Sequence, residues 1–210
     1  KILAKRIKTL LDQYGVPEFL NKRDAFLFKM YQAFGHHFDF IAIPIIKKRL
    51  RMDTSQVIIN EERPQLTKHL ATRFKEKIGQ NVNLLGEVVL GNEEADHRYH
   101  HYLEALESPD INYISVKISG IYAQTHALNY EESFPELVSR MSALYQKAID
   151  FPYTDEDGIK RSKFINLDME EYKDAHFTLR LFKAVLNLPQ FKNYSAGIVV
   201  QAYLPDAYDF

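Results

Sequence analysis

Residues 163–188 read KFINLDMEEYKDAHFTLRLFKAVLNL, a short apolar run that ends on Asp168 and soon passes into a stretch whose apolar side chains recur three and four apart. The first part has the length and composition of a strand and the second the periodicity of an amphipathic helix, so together they read as one βα unit. Three more runs share this form: Leu84 and Leu85 precede Glu87, residues 114–116 precede Lys117, and residues 198–200 precede Gln201. Strands are thereby predicted at 83–90, 113–119, 163–167 and 196–203, with helices at 93–107, 134–150 and 170–188 between them. Such alternation implies right-handed crossovers and a parallel sheet. It would collect polar groups from distant parts of the sequence at the carboxyl ends of neighbouring strands, where α/β barrels keep their chemistry.

Turns fit the scheme. The polar stretch 153–162, with Asp157-Gly158, supplies one before the third strand, and Ser108-Pro109-Asp110 supplies one before the second. Before about residue 80 the pattern changes: apolar spacings of three and four over 2–14, 19–34, 41–50 and 65–78 predict helices, with Pro17, Pro44 and Pro64 as breaks or first-turn residues. The expected organisation is a helical region, 1–80, followed by an α/β region, 81–210.

Composition narrows the function classes. With 210 residues, 46% of them hydrophobic, the chain can bury a full core. Lys and Arg number 27 against 28 Asp and Glu, so no broad basic field gathers polyanions and nucleic acid is not an expected partner. With no cysteine in the sequence, disulfides, thiolate nucleophiles and Cys-ligated metal centres are excluded. The longest apolar stretch, around 38–46, is too short to span a bilayer, and the opening KILAKRIKTL lacks the apolar core of a signal peptide. The expectation is a soluble protein. No Gly-x-Gly-x-x-Gly occurs, so a Rossmann-type dinucleotide site is not expected.

Asn166 and Asp168 interrupt the apolar third strand and share one of its faces. A carboxylate there needs a cation or several donors, and Lys117, at the matching end of the preceding strand, could supply the charge. Asp168 could instead cap the helix expected near Met169 or Glu170. Lys117 could face water at a sheet edge, although Val116 and Ile118 beside it favour partial burial. Gln201 could serve loop backbone at a strand end, and Glu87 could open a loop. His97, His100 and His101 have a spacing that zinc sites use, but Asp96, Arg98 and Glu104 around them indicate a solvated face, and no metal is expected. His36-His37 lies in an aromatic-rich turn and reads as packing. Lys47-Lys48-Arg49-Leu50-Arg51 is the one basic cluster, suited to a solvated helix end, an anionic lipid surface or another domain.

The stretches ISVKIS (114–119), NLDMEE (166–171) leading into TLRLF (178–182), and GIVVQAY (197–203) resemble consecutive strand motifs of proline dehydrogenases, in particular the flavin domain of the bacterial bifunctional proline utilisation A family. Leu85-Gly86-Glu87 resembles the first-strand motif, and the likeness runs from about residue 83 to residue 208. The resemblance implies a distorted (βα)8 TIM-type barrel holding FAD. Its reaction would oxidise L-proline to Δ1-pyrroline-5-carboxylate by hydride transfer to the flavin, with electrons passing to a quinone. Lys117 would then lie beside the substrate carboxylate and the flavin, Asp168 would order the site, Gln201 would hydrogen-bond the isoalloxazine ring, and Glu87 would pair with an active-site arginine as a gate. A covalently linked aldehyde dehydrogenase domain is also implied, as is a cytoplasmic location with peripheral contact to the inner membrane; an oligomer is compatible with it.

The predicted fold class is accordingly α/β: an N-terminal helical region followed by the first four βα units of the barrel, which usually takes about 250 residues. The family's basic fifth strand and its paired C-terminal arginines would lie beyond Phe210. The segment is therefore expected to belong to a longer polypeptide and to be inactive alone. Two other readings stand beside this one. The first is a non-catalytic assembly piece with an open sheet edge, and the second a different (βα)8 enzyme, such as an aldolase using Lys117 as a Schiff base.

Overall fold

Helices α1 (Ile2–Tyr14), α2 (Lys22–Phe34) and α3 (Asp39–Thr54) build the first of two units, residues 1–66, in a computed structural model that describes residues 2–34, 39–54, 58–59, 63–84, 89, 91–123 and 129–209. Gly15 ends α1 at φ +75°, a left-handed conformation that costs glycine little, and its N–H donates to the Leu11 carbonyl at 2.9 Å. Asn21 starts α2: its side-chain oxygen accepts the Asp24 N–H at 2.9 Å while its amide donates to the Asp24 carboxylate at 2.7 Å. The Gln32 amide, donating to the Leu11 carbonyl at 2.9 Å, ties α2 to α1. Pro44, read from the sequence as a break or a first-turn residue, is the sixth residue of α3, and the helix continues through it at the loss of one backbone hydrogen bond.

The second unit, 67–210, takes in most of α4 (Arg63–Lys75) and then β1 (Asn81–Asn83), α5 (Asn92–Glu107), β2 (Tyr113–Lys117), the single turn α6 (Ile118–Ile121) and α7 (Tyr130–Asp150). The hairpin strands β3 (Tyr153–Thr154) and β4 (Lys160–Arg161) follow, then β5 (Phe164–Asp168), α8 (Ala175–Leu186) and β6 (Gly197–Ile198). Strands β1, β2, β5 and β6 form one parallel sheet in that spatial order, which is also their chain order. Right-handed crossovers wound in one direction lay their helices on one face of the sheet and leave the other face for different neighbours. The expected turn at Asp157-Gly158 closes the β3–β4 ribbon, with Asp155 accepting the backbone N–H of Asp157 and of Ile159 at 3.0 and 2.8 Å.

Several boundaries differ from the sequence reading. The first strand, expected at 83–90, lies at Asn81–Asn83, and residues 85–88 and 90 fall outside the described ones. The second stops at Lys117 because Ile118 opens α6, and the fourth, expected over 196–203, is only Gly197–Ile198. The helix expected from residue 170 begins at Ala175, after a 3-10 turn at Tyr172–Asp174. Asp168 therefore caps no helix.

Register sorts the strands into two faces. Ile114 pairs with Ile165 and Val116 with Leu167, and all four are almost wholly inaccessible. Tyr102 and Leu106 of α5, Leu137, Met141 and Leu144 of α7, and Leu181 of α8 are buried as well. Each large aliphatic side chain removed from water in this way contributes about 1.5–3 kcal/mol before entropy is counted. The alternate positions form polar rows: Asn83, Ser115, Asn166 and Gly197 stand in one register row, with Lys117 and Asp168 in the next.

Candidate active site

Side chains alternate along a strand, so the same parity that buries Val116 and Leu167 sends Lys117 and Asp168 to the opposite face, where they are direct cross-strand neighbours at the carboxyl ends of β2 and β5. They are not ion-paired with each other. Lys117 Nζ lies 2.6 Å from Glu170 Oε1. Asp168 is held by two neutral amides: Asn166 donates to Oδ1 at 3.0 Å and Asn83 to Oδ2 at 3.3 Å. The donors expected of a lysine thus come from two asparagines, which can satisfy a half-buried carboxylate without a counter-charge.

Glu170 is the node that the sequence reading missed. Its Oε2 accepts the Ser119 hydroxyl at 3.0 Å, and its backbone carbonyl accepts the Gln201 amide at 3.1 Å. Three segments therefore meet on one residue: the end of β2, the first turn of α6 and the loop after β6. A signal existed in the alternation of Asn166, Asp168 and Glu170, which continues past the strand end. Glu87 lies outside the described residues, as do His36 and His37.

The surroundings of these groups are closely packed. Tyr102 of α5 is buried beneath the β2 tip; burial pushes its phenol up to about 12, offset in part by a hydrogen bond with the Lys117 backbone. Gly197 permits the close approach of β6 to β5, since a Cβ there would stand 2.5 Å from Asn166 Oδ1 and 3.0 Å from the Phe164 ring. At the opposite, amino-terminal end of β5, the Lys163 ammonium is buried and donates to the Ser108 carbonyl; burial draws it down to about 8. On α5 the His97 and His101 rings lie 4.3 Å apart, and among the described residues no three His, Cys, Asp or Glu side chains are grouped to hold a metal. Chemically, the cluster offers one ammonium, three primary amides and a hydroxyl as donors, beside two carboxylates.

Fold and site together define an α/β protein of sequential βα units with a charged cluster at its strand ends. Residues 66–210 match the family described as proline dehydrogenase. The chain belongs to that family. It is similar to proline utilization A from Corynebacterium freiburgense, with 31% identity and a TM-score of 0.67 over 99% of this chain and 18% of that one. It is also similar to proline utilization A from Bdellovibrio bacteriovorus inactivated by N-propargylglycine, with 28% identity and a TM-score of 0.67 over 81% of this chain and 19% of that one. A bifunctional proline utilization A protein, at 24% identity and a TM-score of 0.53 over 61% of this chain and 13% of that one, shares the fold. No curated protein matches the chain. The chain spans less than a fifth of the length of these solved relatives.

Proposed function

We propose that residues 81–210 form the first half of a (βα)8 barrel, preceded by a helical region over 1–80, and that the whole protein oxidises L-proline to Δ1-pyrroline-5-carboxylate using FAD. The observation that carries this reading is the polar sheet face, with Lys117 and Asp168 registered side by side at its carboxyl edge. Barrel closure would turn that face inward, and β1 and β6 each have one strand neighbour among the described residues. Lys117 would hold the substrate carboxylate, and orientation of the substrate would supply most of the rate gain. Asp168, fixed by Asn83 and Asn166, would order the site without drawing on Lys117. Glu87 would act as a gate against an arginine.

The donor set fits a flavin. The isoalloxazine edge carries acceptor atoms, and Lys117 at the tip of β2 and Gln201 in the loop after β6 bring an ammonium and an amide N–H to the same residue, Glu170. Bound FAD would supply the two-electron acceptor, and the protein would position and tune it. Gln201 would hydrogen-bond the ring after exchanging its present acceptor, the Glu170 carbonyl. A quinone would take the electrons, and a linked aldehyde dehydrogenase domain would accompany the barrel in a cytoplasmic, bacterial protein. No described helix is long and apolar enough to cross a membrane. Peripheral contact with an anionic surface is supported by α3, whose exposed Ile45, Leu50 and Met52 interleave with Lys47, Lys48 and Arg51.

The test is proline-dependent dye reduction by the full-length protein with and without Lys117→Ala. The expected result is a flavin-dependent reaction that the substitution lowers by about two orders of magnitude; a full-length protein that binds no flavin and reduces no dye overturns the reading. The 210-residue chain alone is expected to show little or no activity, and robust turnover by it overturns the half-barrel assignment.

A further inference from the structure

We propose that Glu170 is a positioning residue, an internal counter-ion that holds Lys117 until an incoming carboxylate displaces it. The inference rests on the reading of Lys117 as the substrate's carboxylate-binding cation. Both oxygens of Glu170 are engaged, Oε1 by the Lys117 ammonium at 2.6 Å and Oε2 by the Ser119 hydroxyl at 3.0 Å, so the carboxylate bridges a cation and a hydroxyl donor that the carboxylate of an amino-acid substrate could bridge in its place. Its backbone is fixed from the other side by Gln201. Asp168, although registered opposite Lys117, is occupied by Asn83 and Asn166 and does not compete. Among the described residues no other carboxylate pairs with Lys117.

The pair also has the exposure of a replaceable contact. The Lys117 and Glu170 side chains retain 24% and 42% of their accessibility, and partly hydrated ion pairs are weakly held. Glu170 lies in the irregular connection between Asp168 and the 3-10 turn at Tyr172–Asp174, so its side chain can swing away without disturbing a strand or a helix. A ligand that needs Lys117 then binds with an apparent affinity reduced by the fraction of molecules in which Glu170 already holds it. Gln201 holds the Glu170 carbonyl, so the side chain swings about a backbone that stays anchored.

The experiment measures acylation of Lys117 in the full-length protein by a brief pulse of acetic anhydride, read by mass spectrometry with increasing L-proline and taken relative to acylation of the exposed Lys160, which corrects for reagent consumed by the proline amine. Glu170→Gln is expected to raise Lys117 labelling and to lower the half-protecting proline concentration, each by about threefold or more. Ser119→Ala, which loosens the same carboxylate while keeping its charge, is expected to move both readouts in the same direction by less. Unchanged labelling in Glu170→Gln overturns the proposal. So does an unchanged or higher half-protecting concentration in a protein whose wild type proline protects. Faster labelling in the variant, with no protection by proline in either protein, refutes proline as the ligand of Lys117 while leaving the counter-ion assignment standing.

Discussion

The two units are both rich in helices, yet they bury them very differently. In residues 67–210, α7 buries Leu137, Met141, Leu144, Tyr145 and Ala148 along one stripe, and the apolar rows of β2 and β5 are almost wholly inaccessible. In residues 1–66, the buried apolar side chains among the described residues are Leu11 and Tyr31, while Leu10, Phe26, Leu27, Met30 and Phe34 remain exposed. Helical periodicity alone does not make a core; a sheet gives a helix an apolar plane to cover, and most helical stability comes from that covering. Stability should therefore reside in the α/β unit.

The largest effect expected from this contrast is at Leu144. Leu144→Ala opens a cavity in the fully packed core and should cost about 2–5 kcal/mol in urea unfolding, whereas Leu10→Ala, at a position 48% exposed, should change stability by about 0.5 kcal/mol or less. Equal losses would break the comparison. Next comes Gly197→Ala, where the added methyl would meet Asn166 Oδ1 at 2.5 Å. The expected cost is about 1–3 kcal/mol, with a chemical-shift change at Asp168 as Asn166 moves.

Lys163 sharpens the contrast through pH. Its ordinary value of 10.5 is lowered to about 8 by burial, so between these values the unfolded chain binds more protons than the folded one. Stability of residues 67–210 should then rise with pH, by at most about 1.4 kcal/mol per pH unit from this group, and Lys163→Met should flatten that slope. Above pH 10 the phenols of Tyr102, Tyr145 and Tyr194, pushed up by burial, act in the opposite sense, so the informative window is pH 8 to 10. The smallest effect is expected at Asn21. Asn21→Ala removes the α2 cap and should lower the protection of α2 amides in hydrogen exchange by about 1 kcal/mol, leaving the α/β unit unchanged.

How far the sequence was legible depended on how local the deciding interactions were. The strand Phe164–Asp168 and the helix α5 could be read almost to the residue, because apolar alternation and helical spacing are properties of adjacent residues. The predicted strand over 196–203 ran too long because Val199 and Val200 keep the apolar pattern after the ladder has ended at Ile198. Lys117 and Asp168 were legible as strand-tip residues from parity. Their partners were not, because Asn83 reaches Asp168 across 85 positions of sequence and only through the registers of β1, β2 and β5.

By itself, then, the sequence determined the alternation of strands and helices, the apolar rows that face the core, and which polar residues stand at the strand tips. Tertiary structure alone decided that Glu170, rather than Asp168, holds Lys117, and that amides rather than an ammonium hold Asp168. The physical reason is range. Periodicity is set by backbone geometry within a few residues, whereas the partner of a long polar side chain is set by the register of strands and by the path of the loop between them.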